Sequence, residues 1–162
     1  MTTKRTQDPA NLKLLFSGEH IVEYLQAKLH IFDDKVMVWV PFQSKFCVAE
    51  TDYAAVRGGI LTAVIDLAGE YCARTIVVRG HIPIFNCNIY FYSPFERGDN
   101  IVAIATVRNQ SPLFIDVSID LFGTKSDYAH FSKNVLGING EHIEDTKNGA
   151  RVHARIAFVK RV

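Results

Sequence analysis

Cysteine is scarce in this chain. Cys47, Cys72 and Cys87 are an odd three with no metal-ligand spacing, which reads as free thiols in a reducing compartment and offers no disulfide framework. An excess of one charge is also lacking. Lysine and arginine number 18 against 17 aspartates and glutamates, a formal net charge of +1, so no overall field draws the protein to nucleic acid or to an anionic membrane. Any anionic partner must be held by a local cluster. No stretch approaches the ~18–20 continuous apolar residues of a membrane-spanning helix. Residues 1–9 are too polar for the core of a signal peptide, and a cytoplasmic location is expected by default. The six histidines lack metal-ligand spacing, and no bound metal is expected. A phosphate-binding glycine loop, a serine nucleophile elbow and a basic-aromatic patch for nucleic acid are all missing.

What remains is 162 residues, 48% of them hydrophobic, with 11 Phe and 6 Tyr. That is the size of one ordinary domain, with a core of the aromatic and β-branched kind that sheets prefer. Residues 1–16 are expected as an N-terminal tail. A helix is expected from Ser17, with Ser17 as N-cap, Glu19 in the first turn and Lys28 near the end. Residues 35–42 (KVMVWVPF) read as a strand, and residues 44–50 as a second extended piece. Residues 86–93, 100–108, 113–122 and 150–160 read as further strands, several of them ending at Pro or Gly turn signals. The polar stretch 123–149 is expected to be an insertion, with a short strand around 130–138.

Residues 58–74 differ in kind. After Gly58-Gly59 the segment is apolar almost all round, interrupted by Thr62, Asp66, Gly69 and Glu70. A helix of that pattern is enclosed by protein, and at 1.5 Å per residue it is about 25 Å long. A sheet needs an apolar cover for its inner face, and this is the one segment long and apolar enough to supply it. The predicted class is α+β, an antiparallel sheet wrapped around one long central helix.

This layout resembles the hotdog-fold acyl-CoA thioesterases of the phenylacetyl-CoA thioesterase type. Three segments carry the resemblance: Arg57-Gly58-Gly59 with Asp66 following, residues 88–94 (NIYFYSP) with Gly98-Asp99, and the last strand 150–160. Residues 17–162 would then be a single hotdog domain. This chain departs from that family at three positions. Arg57 stands where a His is frequent, Thr51 where related enzymes carry an Asn, and Ile84 where a Ser is sometimes found.

The resemblance implies hydrolysis of an acyl thioester, with coenzyme A present only as part of the substrate and no other cofactor. It implies a homodimer or a dimer of dimers with the site at a subunit interface. Asp66 would be base or nucleophile, and the Gly59 amide an oxyanion donor, a role open to a helix N-terminus where backbone N–H groups are unpaired. Arg57, Gly58, Thr62, Arg97 and Arg108 would contact substrate, the arginines through the phosphates of coenzyme A. Each residue also has a plainer reading. The glycines could merely permit close packing at a turn. Asp66 could belong to a polar interface network, and Glu70 could be a solvated residue near the helix end. Arg57 could pair with Asp52 or Asp66, and the basic residues could be scattered surface charge. The alternative function is a non-catalytic hotdog module that binds an acyl ligand or a protein partner. A dehydratase is less favoured, because no His stands near the start of the helix.

Overall fold

The computed structural model describes residues 7–32, 35–49, 54–77, 80–129 and 149–160. The expected central helix is α3, Gly58–Arg74, with Leu61, Val64, Ile65, Leu67, Ala68, Tyr71 and Cys72 buried. Around it lies a six-stranded antiparallel sheet in the order β1-β2-β4-β5-β6-β3. The strands are β1 Lys28–Phe32, β2 Lys35–Val40, β3 Ile84–Phe91, β4 Asn100–Gln110, β5 Phe114–Thr124 and β6 Val152–Val159. Alternation along each strand sends one set of side chains to the helix. Val36, Val38 and Val40, Ile101, Ala103 and Ala105, Ile115, Val117 and Ile119, and Ala154, Ile156 and Phe158 make up that inner face and are buried with α3. The small residues have a purpose here. A side chain at Gly69 would begin 3.1 Å from Ile156 Cδ1 and 3.3 Å from Phe158 Cζ, so glycine lets helix and sheet approach.

The N-terminal segment corrects the sequence reading. The first 16 residues are not all tail, because Pro9–Ser17 form a helix, α1. Asp8 caps it by accepting from the Ala10 amide at 3.0 Å, with proline in the first turn, where its missing N–H costs nothing. Leu12 and Phe16 are buried, and Phe16 meets Tyr71 of α3 edge-on at 5.0 Å. Ser17 therefore closes a helix instead of capping the next one. After Gly18 a short helix α2, His20–Leu25, ends at Gln26 in the left-handed region with φ 52°. Lys28 opens β1 and does not sit at a helix end. Residues 44–50 are not an extended piece either: Ser44–Phe46 form a 3-10 turn, and Cys47 makes a single bridge to Val56. Gly123 and Thr124 still belong to β5. Residues 130 to 148 of the expected insertion, with the short strand expected around 130–138, lie outside the described residues, as do Thr51 and Asp52.

A buried carboxylate fastens the turn between β3 and β4. Asp99 is 2% exposed. It accepts from Arg151, from Lys125 at 2.8 Å and from the Glu96 amide at 2.8 Å. Gly98 makes the turn possible with φ 87°, a region other residues rarely adopt. The Arg151 carbonyl accepts from the Tyr92 and Ser93 amides, and its guanidinium lies over Phe95, 5.3 Å from the ring centre. The end of β3 is thus tied to the start of β6. Burial alone would push the Asp99 carboxyl up. The Lys125 ammonium, the Glu96 amide and Arg151 outweigh it and hold the carboxyl below the usual range.

Candidate active site

One face of α3 is left uncovered. Gly58, Gly59, Thr62 and Asp66 are exposed, and Ile60, Ala63, Glu70 and Arg74 are half-buried. Positions 59, 62, 66 and 70 fall three and four apart, which lines them up along one side of a helix. Strand β3 flanks this stripe. It ends the sheet, and all its residues except Ile89 are exposed. Its register with β6 turns Cys87, Ile89 and Phe91 toward the helix side. The Cys87 thiol is raised by burial and by the charge of Asp66, which sets Asp66 beside β3. The open stripe of α3 and the inward-turned residues of β3 thus lie on the same side of the sheet.

The start of α3 has the features of an anion site. Among the described residues neither the Gly58 nor the Gly59 amide has an acceptor, as expected in a first helical turn. A Cβ added at either glycine would meet nothing within 4 Å, and neither has positive φ. Neither close packing within the chain nor backbone strain requires glycine here, so turn packing does not account for the pair. Arg57 at the N-cap donates to the Cys47 and Val48 carbonyls, at 3.2 and 3.4 Å. Among the described residues it pairs with no carboxylate, so it does not neutralise Asp66. Thr62 donates its hydroxyl back to the Gly58 carbonyl at 2.9 Å.

Asp66 has no cation beside it among the described residues. Partial burial raises its carboxyl above the ordinary 3.8, and the charges of Glu70 and Glu19 raise it further. Glu70 is not a free solvated residue: Arg74 grips it through Nε at 2.8 Å and Nη2 at 2.6 Å. Glu19, from the residue before α2, accepts the Tyr71 hydroxyl. The sequence gives no hint of that pair, because 52 positions separate its members. A raised carboxylate destabilises the folded chain when ionised, so stability contributed here declines as pH climbs from 3.8 through the folded value. An NMR titration of the Asp66 side-chain carbon is expected to give a midpoint above 3.8, and Glu70→Gln is expected to lower that midpoint. A midpoint at or below 3.8, or one unmoved by Glu70→Gln, would contradict this placement.

The two remaining arginines are not one subsite. Arg97 precedes β4, with its guanidinium 5.9 Å from the Phe42 ring centre, whereas Arg108 is exposed near the far end of that strand. Arg108 stands eight strand positions beyond Asn100, about 27 Å, so a single phosphate cluster cannot use both. Lys125, the nearest lysine in sequence to β5, is paired with Asp99. None of the described His, Cys, Asp and Glu side chains is grouped as a metal-ligand set.

This arrangement of sheet and helix has known counterparts. The PaaI protein of the phenylacetic acid degradation operon of E. coli superposes with a TM-score of 0.66 at 15% identity, covering 93% of this chain and 94% of that one. This chain has the hotdog fold. A thioesterase from Haemophilus influenzae superposes on it at 0.69 and 17% identity, covering 98% and 94%. A mutant of the PaaI protein of Thermus thermophilus does so at 0.64 and 14%, covering 88% and 100%. The thioesterase superfamily matches the hotdog chain over residues 54–127, which contain the whole of α3 and of strands β3, β4 and β5. The resemblance seen in the sequence therefore holds. No curated protein sequence matches the chain. No described helix is long and apolar enough to cross a membrane.

Proposed function

We propose that this hotdog chain hydrolyses an acyl thioester such as an acyl-CoA, at sites each assembled from two copies. One observation carries the reading. Gly59 and Asp66 stand seven residues apart on one continuous helix, about 10 Å along its axis. Oxyanion donor and base must each lie about 3 Å from the atom they act on, a requirement that groups on two facing helices meet more directly than two groups strung along one. Two α3 helices laid antiparallel, with the two-fold axis near residues 62 and 63, bring Gly59 of each copy to Asp66 of the other. The uncovered stripe on α3 and the unsatisfied glycine amides support this. So does the edge strand β3, where Ile84, Phe85, Tyr90 and Phe91 are exposed. An open edge carrying apolar groups invites pairing with a second copy.

Asp66 then takes a proton from water as the oxygen attacks the thioester carbonyl. The Gly59 amide of the other copy holds the developing oxyanion. Collapse expels the thiolate, which receives the proton from Asp66, giving acid and free thiol. The raised carboxyl suits this task, since a stronger base abstracts the proton more readily. The two substrate contacts nearest this carbonyl would be Gly58 and Arg57, and the three free thiols elsewhere in the chain suit a reducing cytoplasm.

Subunit mixing tests the reading. Gly59→Pro deletes the amide at a first-turn position where proline is tolerated, and Asp66→Asn deletes the base. Each variant alone should be nearly inactive. Co-refolded in equal amounts, they should recover about a quarter of parental turnover, because half the pairs are hybrids and each hybrid holds one intact site. A mixture no more active than the sum of its parts would place both groups in one chain, or neither in catalysis.

A further inference from the structure

Past Asp66 the open stripe of α3 continues through Glu70 to Arg74, and there α1 borders it. A groove of about 370 Å³ lies between them, lined by Leu14, Leu15, Gly18, Glu19, Tyr71 and Arg74. Its two leucines are 73% and 52% exposed, unusual for neighbours on a helix that also buries Leu12 and Phe16. Tyr71 leaves the buried side of α3, about 140° round the helix from Asp66, and its hydroxyl reaches Glu19, whose charge also acts on Asp66, so the groove begins within reach of a chain whose carbonyl sits at Asp66.

The polar groups of this groove have one sign to spare. Glu19 accepts the Tyr71 hydroxyl and, among the described residues, has no cation of its own. Arg74 is committed to Glu70. Lys13, on the same helix as the leucines, does not line the groove. Counting Asp66, Glu70 and Glu19 against Arg74 leaves the neighbourhood with a net charge of about −2. Burial, and then the Glu19 carboxylate, push the Tyr71 phenol far above its ordinary value, so it remains a hydroxyl.

We propose that this groove receives the far end of the acyl chain and that Glu19 sets its specificity, admitting tails that end in a methyl or a hydroxyl and rejecting tails that end in a carboxylate. This rests on the thioester reading of the Asp66 site and adds a substrate class to it. The leucines give the methylenes an apolar wall. A terminal carboxylate would enter beside the Glu19 carboxylate, which no cation among the described residues offsets. A terminal hydroxyl can donate to Glu19, which accepts readily as an ionised group.

The test uses three coenzyme A thioesters of matched length: hexanoyl, 6-hydroxyhexanoyl and adipoyl. For the full chain, kcat/KM on adipoyl-CoA should be lower than on hexanoyl-CoA by about tenfold or more, the scale of one like-charge contact partly screened by water. Glu19→Gln keeps an acceptor for Tyr71 while removing the charge, and should bring the adipoyl-to-hexanoyl ratio to within about threefold of unity. Equal rates on both thioesters in the parent, or a ratio that Glu19→Gln leaves unchanged, would overturn the proposal. Calorimetric binding of the same thioesters to Asp66→Asn, with and without Glu19→Gln, separates this inference from the reading beneath it. If the parent cleaves none of them, the hydrolase reading fails. The groove inference then stands only if hexanoyl-CoA binds more tightly than adipoyl-CoA and Glu19→Gln narrows the gap; equal binding or no binding overturns it.

Discussion

Asp66→Asn should lower kcat on a cleaved acyl thioester by about 10²–10⁴-fold, the contribution of a positioned general base, with KM changed far less. Asparagine has nearly the shape of aspartate but cannot take the proton, and its neighbours Glu70 and Glu19 remain. The fold should not suffer. The Asp66 carboxylate has no cation to lose among the described residues, and its raised carboxyl means that ionisation works against the folded state at neutral pH. The thermal midpoint should therefore hold or rise slightly. Thiol release followed with a chromogenic reagent, alongside a thermal melt, gives both numbers. Retained turnover on every thioester that the parent cleaves would remove Asp66 from the mechanism. A collapse of the melt together with activity would make it a structural residue.

The largest loss of stability should come from Asp99→Ala. Arg151 is 15% exposed at its side chain and would lose its carboxylate while staying in place, and stranding one member of a buried pair typically costs about 3–5 kcal/mol. For a chain of this size each kcal/mol moves the thermal midpoint by about 2–4 °C, so a fall of about 6 °C or more is expected. Lys125→Ala is the contrast. Its side chain is 61% exposed, and such a pair is worth about 1 kcal/mol at most. The pH dependence has a definite sign. A carboxyl held low contributes stability above its unfolded value, and that contribution disappears as pH falls through the folded one. The parent's advantage over Asp99→Ala should thus shrink on acidification below about pH 4. Equal melts for Asp99→Ala and Lys125→Ala would show that the clasp stabilises nothing.

Some of this can be read from residues alone, and the reason is local. The boundaries of α3 coincide with the sequence reading because a helix apolar on nearly every side must be enclosed by protein, and two glycines mark its start. The N-terminal third is harder to read. Lys28 to Phe32 alternates over only five residues, and the turn before it uses Gln26, not glycine, in the left-handed region. With no glycine to mark the break, the strand reads as the tail of a helix. Ser17 has the chemistry of an N-cap but stands one residue before a glycine that breaks the chain, and the cap that operates is Asp8. At the site, Asp66, Gly58 and Gly59 are visible as a carboxylate and two glycines on an apolar helix. Their seven-residue spacing is visible too, and the proposed two-copy site is built on it once the helix is known to be continuous. Glu19 and Asp99 are not legible as site or clasp members. Their partners Tyr71 and Arg151 are each 52 positions away, and only the closed sheet brings them together.

Strand β3 adds a condition on the life of each molecule. Before the proposed pairing, a newly made chain carries Phe85, Tyr90, Phe91 and, just past the strand, Tyr92 in water, exposed 68%, 53%, 55% and 66%, along an edge open to hydrogen bonding. On the proposed assembly, dilution and not only heat becomes a stress, since a lone molecule has both its chemistry and its solubility half finished. Synthesis of two chains close together in time and space would then matter to this protein as much as any single residue in it.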